Sequence, residues 1–272
     1  KVRGGIVYMD ELMRSGAKID GVITATRGNH GQSVARAASA VGLKSVILVP
    51  RGNSTEKNTA MRAFGAELIE HGADFDEAKD EAYRLAATRN LHIVPAYHAA
   101  LVKGVATGGR ELLTAFPDLD TVYVPIGMGS GVGGMIMARD LLGLKTEVVG
   151  VVAANAPCVA LSVAAGKPIA TNSAATFADG MACRVPDPTS FEVISRGVAR
   201  VVTVSEDEIA DAMRAYYEDT HNLAEGAGAA AFAALMQERA TMAGKRVGVV
   251  ISGGNVDRPV FAEVLAGKTP KV

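Results

Sequence analysis

The chain has 272 residues, a net charge of −1 at pH 7, and a composition that is 49% hydrophobic. Near-neutral charge without a basic stripe argues against a nucleic-acid partner, and no apolar run is long enough to indicate a membrane partner. Two cysteines, Cys158 and Cys183, fit neither a secreted disulfide scaffold nor a zinc site, so we expect a cytoplasmic protein. The length is sufficient for two domains. Because the chain begins at Lys1 rather than at methionine, we expect an upstream segment to be missing.

The first hundred residues alternate helices with short apolar strands. After a helix over residues 6–13, strands are predicted at 22–25, 45–49, 66–69 and 91–94, and helices at 29–41, 54–64 and 74–88. Ser54 is expected to cap the helix that follows it. Strands separated by helices predict a parallel sheet with crossover helices. We expect residues 19–98 to form a small domain that carries a loop at Asn29.

The rest of the chain repeats this alternation around an irregular stretch at residues 170–188. Strands are predicted at 121–125, 146–152, 201–204 and 246–251, and helices at 102–116, 131–142, 157–165, 225–240 and 256–266, with a further helix that carries Ile209, Ala212, Met213 and Tyr216. The sequence Ser205-Glu-Asp-Glu208 is a capping box that opens one of these helices. We expect a large domain made of residues 1–18 and 99–272. The predicted fold class is α/β, with two domains that are each an open, mostly parallel sheet flanked by helices.

A tight turn at Gly28–Gly31 lies between the first predicted strand and the helix after it. The backbone N–H groups at the start of a helix favour an anion such as a carboxylate, and Asn29 adds a polar amide to the same place. A simpler interpretation is that Asn29 and His30 only cap their helix. His30 has no second ligand at helical spacing, so we do not expect it to bind a metal.

A glycine-rich loop, Gly127-Met-Gly-Ser-Gly-Val-Gly-Gly134, also follows a strand and opens a helix. Glycines let the backbone approach an anion closely, and the start of the helix supplies N–H groups. Residues 129–134 match the dinucleotide pattern G-x-G-x-x-G, which also needs an acidic residue at the end of the next strand. That strand ends in Val151-Val-Ala-Ala154, which favours a lone phosphate over a dinucleotide. Tight packing of helix on strand is the alternative without a ligand.

A third loop, Ser252-Gly-Gly-Asn255, follows the last predicted strand and precedes the last helix. As a turn it needs no function. Its position nevertheless places Ser252 at the carboxyl ends of the strands, where α/β sheets of this kind bind ligands.

These segments together resemble one enzyme family, the fold-type II pyridoxal-phosphate enzymes with a tryptophan synthase beta-like fold. The similarity is greatest to the threonine dehydratase and serine racemase branch. The motifs that carry it span nearly the whole chain: Lys1-Val-Arg-Gly4, Gly28-Asn-His-Gly31, the glycine loop, Thr176-Phe-Ala-Asp-Gly180, Glu225-Gly-Ala-Gly228 and Ser252-Gly-Gly-Asn-Val-Asp257. Each motif is weak by itself, but their order and spacing are specific.

The resemblance implies that pyridoxal 5′-phosphate (PLP) is the cofactor and that Lys1 forms the Schiff base with it. Lys1 would then take the substrate α-proton. The resemblance also implies cofactor contacts from Asn29 to the pyridine 3-oxygen, from Ser252 to the pyridine nitrogen, and from Gly127, Met128, Gly129, Ser130 and Gly131 to the phosphate. Gly180 and Glu225 would line the pocket, and Thr26, Asn29 and His30 would hold the substrate carboxylate.

Two features depart from the family pattern. Racemases of the family resemble Ser-Ser-Gly-Asn-His at the first turn, where the second serine serves the other face of the substrate. Arg27 stands there in this chain, and arginine is a poor base because it is always protonated. Arg27 would instead reach an anionic substrate group or point to solvent. Residues 152–156 lack the acidic side chains with which some relatives bind a divalent cation, so no metal is expected.

The sequence therefore predicts a PLP-dependent ammonia-lyase, a dehydratase that converts a β-hydroxy amino acid to a 2-oxo acid and ammonia. L-Threonine or L-serine is the expected substrate, with L-phenylserine and threo-3-hydroxyaspartate as alternatives. An amino-acid racemase, a nucleotide-dependent dehydrogenase and a non-catalytic binding protein are the competing hypotheses. We expect a homodimer that acts on a small-molecule amino acid.

Overall fold

The computed structural model describes residues 1–271. The chain packs into two compact units, the first comprising Lys1–Val105 and the second beginning at Ala106. Each unit contains one sheet, in which all strand pairs are parallel. This confirms the predicted α/β fold class with two parallel sheets flanked by helices.

The first unit has the strand order β3-β2-β1-β4. Its strands are β1 (Gly21–Ala25), β2 (Lys44–Val49), β3 (Glu67–Glu70) and β4 (Leu91–Ile93), and its helices are α1 (Val2–Arg14), α2 (Asn29–Ala40), α3 (Thr55–Ala63) and α4 (Phe75–Arg89). Along β1, Val22 joins the apolar cluster that contains Tyr8 and Val34, and Ile23 joins a second cluster with Ala78. Because helices cover both faces of the sheet, its central strands β1 and β2 are mostly apolar and are buried except at Lys44.

The second unit has the corresponding order, β7-β6-β5-β8. Its strands are β5 (Thr121–Pro125), β6 (Glu147–Ala153), β7 (Arg200–Val204) and β8 (Val247–Val249). The helices are α5 (Ala99–Ala115), in which the division between the units falls, α6 (Ser130–Leu141), α7 (Cys158–Ala165), α8 (Pro188–Gly197), α9 (Glu206–Thr220), α10 (Gly226–Gln237) and α11 (Arg258–Leu265). In each sheet, the first strand along the chain lies between the second and the fourth. The carboxyl end of such a strand is a common ligand position in parallel sheets.

Helices α1 and α8 differ most from the sequence prediction. Helix α1 begins at Val2 rather than at residue 6, although Gly4 and Gly5 have low helix propensity. A Cβ added at Gly4 would lie 2.7 Å from the carbonyl oxygen of Leu101, so close packing explains the glycine. Helix α8 was not predicted, and it begins where the side chain of Asp187 accepts a hydrogen bond from the amide of Ser190.

The two units do not coincide with the predicted domain boundaries. The prediction placed residues 1–18 with 99–272 in a large domain and 19–98 in a small one. In the structure, α1 packs on α2 through Tyr8 and Met9 and belongs to the first unit. The predicted boundaries at residues 19 and 98 stay a prediction about how the domains divide.

Candidate active site

The turn that follows β1 is organised by a buried threonine. The hydroxyl oxygen of Thr26, which is 4% exposed, accepts hydrogen bonds from the amides of Gly28 at 2.9 Å and Gly31 at 3.2 Å. Gly31 has no room for a side chain, since an added Cβ would lie 2.5 Å from the Thr26 methyl group and from the Met61 sulfur. Thr26 therefore shapes the start of α2, and its predicted contact with a substrate carboxylate stays a prediction.

Lys1 lies at the beginning of α1, where its backbone is held by α2. The hydroxyl of Ser33 donates a 2.7 Å hydrogen bond to the carbonyl oxygen of Lys1, which also accepts from the amide of Gly5 at 3.2 Å. Ser33 is 2% exposed, whereas Lys1 is exposed. Ser33 was not among the predicted site residues, because nothing in its local sequence indicates a partner 32 residues away.

His30 is the second residue of α2 and is held neutral. Burial, followed by the positive charge of Lys1, lowers the pKa of His30 to about 3, and a hydrogen bond to the Val94 backbone opposes this effect. The Nε2 atom of the ring is buried and has no hydrogen-bond partner within the described chain. His30 and Lys1 are thus electrostatic neighbours in the first unit, and the substrate contact predicted for His30 stays a prediction. Asn29, the other polar residue predicted here, is the first residue of α2.

The glycine loop at residues 127–131 joins β5 to α6 and has no space for a side chain at Gly127 or Gly129. Gly129 caps α6 with φ of 94°, a conformation that favours glycine. The hydroxyl of Ser190 occupies the space that a side chain at Gly129 would need, and it donates a 2.8 Å hydrogen bond to the Met128 carbonyl. The backbone carbonyl of Gly180 similarly fills the position of a side chain at Gly127. Ser190 supports this loop, and sequence reasoning missed it together with α8.

The loop after β8 contacts the start of α10. The hydroxyl of Ser252 donates to the carbonyl of Ala227 at 3.3 Å, and the amide of Glu225 donates to the carbonyl of Gly253 at 3.1 Å. The same carbonyl of Gly253 fills the position of a side chain at Gly228. The second unit therefore brings Ser252 close to the Glu225–Gly228 motif, and Gly127 close to Gly180.

Two further properties concern the described chain as a whole. Among residues 1–271, no group of three or more histidine, cysteine, aspartate or glutamate side chains could hold a metal ion. Over the same residues, every helix is too short or too polar to cross a lipid bilayer.

Comparison with known proteins identifies the family. Residues 1–253 match the family model described as "Pyridoxal-phosphate dependent enzyme". The chain belongs to this family. This membership confirms both the resemblance inferred from the motifs and the predicted cofactor, PLP.

Within this family, the chain is similar to threonine ammonia-lyases and to a serine racemase. The chain is 38% identical to an L-threonine ammonia-lyase of Geobacter sulfurreducens over 97% of its own length and 66% of that enzyme. The structure is similar to the processed form of threonine deaminase isoform 2 from Solanum lycopersicum (TM-score 0.90, 30% identity, 98% of this chain and 79% of that one). It is also similar to maize serine racemase (TM-score 0.89, 26% identity, 98% and 82%). The chain spans about half the length of the biosynthetic threonine dehydratases that it matches.

The residues of the second unit fit the phosphate of the family's cofactor. Gly127 and Gly129 face a backbone carbonyl and a serine hydroxyl that would clash with any larger side chain, so these two positions are confined to glycine. Helix α6 begins within this loop, at Ser130, and N–H groups at the start of a helix of this length attract a phosphate.

Proposed function

We propose that the chain is a PLP-dependent ammonia-lyase that converts a β-hydroxy amino acid, L-threonine or L-serine, to a 2-oxo acid and ammonia. The observation that carries the proposal is the glycine loop before α6, with the side chains at Gly127 and Gly129 excluded, in a chain 38% identical to an L-threonine ammonia-lyase. When bound, PLP supplies an electron sink for the electron pair left on the substrate α-carbon. The remaining steps belong to residues of this chain.

Residues of the second unit would hold the cofactor. The phosphate would lie against the backbone N–H groups of Gly127, Met128, Gly129, Ser130 and Gly131. Ser252 would face the pyridine nitrogen, and its hydroxyl, which donates to the carbonyl of Ala227 in this structure, would donate to that nitrogen instead. A neutral hydroxyl at this position favours elimination over transamination. Gly180 and Glu225 would line the pocket.

Residues of the first unit would act on the substrate. Lys1 would hold the cofactor through its Nζ atom, and its amine, once freed, would accept the α-proton and pass it to the β-hydroxyl, which leaves as water. Asn29 would hydrogen-bond the pyridine 3-oxygen. Thr26 and the backbone of Asn29 and His30 would bind the substrate carboxylate at the start of α2. The lowered pKa of His30, about 3, supports this arrangement, because such a weakly basic imidazole would not compete with Lys1 for the α-proton.

The experiment that tests the function is release of a 2-oxo acid from L-serine, L-threonine, L-phenylserine and threo-3-hydroxyaspartate. We expect release by the wild-type protein and by Lys18→Ala, a matched change at an exposed lysine, and none by Lys1→Ala. The absorbance of bound PLP, and its loss on borohydride reduction, reports the cofactor separately. A loaded protein that releases no 2-oxo acid would contradict elimination, and formation of D-serine from L-serine would indicate a racemase.

The proposal also covers the cellular location of the protein, its oligomeric state and its domain boundaries. We propose a cytoplasmic homodimer, supported by the near-neutral charge and by the lack of a disulfide pattern. We also propose a small domain of residues 19–98 and a large domain of residues 1–18 and 99–272. Light scattering after size exclusion tests the assembly, cell fractionation tests the location, and limited proteolysis tests the domain boundaries.

A further inference from the structure

Arg27 is a half-buried cation without a partner. Its Nε atom is buried and has no hydrogen-bond partner. Within residues 1–271, its guanidinium forms no hydrogen bond and no ion pair. A buried donor on a charged group is costly when it stays unsatisfied, so a partner that is not part of the chain is expected.

Three other half-buried arginines of this chain, Arg139, Arg200 and Arg214, have carboxylate partners. Arg200 binds Glu238 at 2.5 Å, and Arg139 binds Asp140 at 2.7 Å, with side-chain exposures of 33% and 17% for the two arginines. The exposed Arg14 likewise pairs with Asp10. The fold therefore supplies an acceptor to arginines at comparable depth, and Arg27 is an exception at the predicted site.

The surroundings of Arg27 favour an anion. Arg27 lies between the carboxyl end of β1 and the first residue of α2, where N–H groups carry partial positive charge. The stem of the buried Lys57 packs on the next residue, since a Cβ added at Gly28 would lie 2.6 Å from Lys57 Cδ. His30 is neutral, so it neither adds to nor offsets this positive charge.

We propose that Arg27 is a specificity-determining residue that binds an anionic group on the substrate side chain. The preferred substrate is then a β-hydroxy amino acid with a second carboxylate on the β-carbon, of the threo-3-hydroxyaspartate type. This inference rests on the proposed lyase function and selects among its substrates. The planar guanidinium matches a carboxylate through two parallel hydrogen bonds, which satisfies the buried Nε as well as the charge.

The second carboxylate takes no part in the reaction. The α-proton leaves, the β-carbon–oxygen bond breaks with its electron pair, and the hydroxyl departs as water. Hydrolysis of the resulting enamine consumes one water and yields ammonia and a 2-oxo dicarboxylic acid. Atoms and electrons therefore balance without an oxidant, a reductant or any further reactant.

A binding experiment tests the assignment without turnover. L-Aspartate and L-asparagine have nearly the same shape, differ in side-chain charge, and carry no β-hydroxyl to eliminate. By calorimetry on the holoenzyme, we expect L-aspartate to bind about tenfold more tightly than L-asparagine, as a charge-assisted pair predicts. Arg27→Met should bring the two affinities together, Arg27→Lys should keep part of the difference, and Arg14→Met should keep all of it.

Steady-state kinetics test the role of Arg27 in a second way, through the preference between two substrates. The ratio of kcat/KM for threo-3-hydroxyaspartate to kcat/KM for L-threonine should fall at least tenfold in Arg27→Met. A purely structural role would lower both values together and leave the ratio unchanged, which would overturn the proposal. Equal binding of L-aspartate and L-asparagine by an active threonine lyase would overturn it too, with the lyase function intact. Arg27-dependent preference for L-aspartate without any 2-oxo acid release would instead overturn the lyase function alone.

Discussion

The backbone carbonyl of Gly180 occupies the position where a side chain on Gly127 would begin. The two residues are 53 positions apart and belong to separate motifs of the sequence, yet each determines how close the other can lie. Their contact joins the 3₁₀ turn Asp179–Met181 to the loop that precedes α6. The geometry of the glycine loop therefore depends on a segment for which the sequence predicts no regular structure.

Gly127→Ala should disturb both the fold and cofactor binding. The added methyl group would force the Gly180 carbonyl to move, which should lower the free energy of unfolding by about 1–3 kcal/mol. Affinity for PLP, measured from the absorbance of the bound cofactor, should fall as well. The matched control is Gly108→Ala in α5, where no atom lies within 4 Å of an added Cβ. This variant should gain about 0.5–1 kcal/mol, and an equal loss in both variants would contradict the steric explanation.

Ser33→Ala should affect catalysis through the position of Lys1. The change removes one of the two hydrogen bonds to the Lys1 carbonyl, which should cost about 1 kcal/mol of unfolding free energy. Because Ser33 acts only through Lys1, kcat for 2-oxo acid release should fall more than KM changes. Ser39→Ala, at the exposed end of the same helix, serves as the control and should alter neither constant. A change confined to KM would argue against a positioning role.

His30 should make the stability of the fold depend on pH. Its pKa is about 3 in the folded protein and near 6.5 in an unfolded chain, so the unfolded state binds the proton first as the pH falls. Stability should therefore drop between pH 7 and pH 5, by about 2 kcal/mol from this residue. Denaturant unfolding of His30→Asn should lack this drop. His221→Asn, a change at an exposed histidine in a left-handed conformation that asparagine tolerates, should retain it.

Glu238→Gln should weaken the second unit at neutral pH. Glu238 accepts hydrogen bonds from Arg200 and from the hydroxyl of Tyr123, and Arg200 lowers the pKa of Glu238 below its usual value. A lowered pKa stabilises the fold above the ordinary carboxyl range, and this contribution disappears as the pH falls through the lowered value. We expect a loss of about 1–2 kcal/mol at pH 7 that shrinks in acid. Glu192→Gln, which breaks an exposed pair with Arg196, should cost less than about 0.5 kcal/mol.

Local patterns predicted most elements of the fold. The strand at residues 121–125 was predicted with the bounds that the structure shows for β5, because an apolar run is bounded by an aspartate and a glycine. The capping box at Ser205 is confirmed, with both of its hydrogen bonds present. Helix α8 was missed although Asp187 and Pro188 are typical of a helix start, so this signal was available in the sequence.

Contacts between distant segments could not be predicted from these patterns. Ser33 donates a hydrogen bond to the carbonyl of Lys1, 32 residues away, and Ser190 donates one to the carbonyl of Met128, 62 residues away. The sequence around a single serine in a helix does not indicate such a distant partner. The early start of α1 has the same origin, because the packing of Gly4 against Leu101 outweighs a low helix propensity. The motifs therefore predict the site residues, whereas the residues that hold them in place follow only from the three-dimensional contacts.

The shared strand order of the two sheets has a kinetic consequence. In each unit the first strand pairs with the fourth, β1 with β4 and β5 with β8. This pairing cannot form until nearly the whole unit has been synthesised. Closing such long loops makes parallel sheets slow to fold, and transiently unpaired strands can associate with those of other molecules. The strand that precedes each glycine turn thus stays incompletely paired for longest, and the yield of native protein should depend on how quickly the last strand of each sheet arrives.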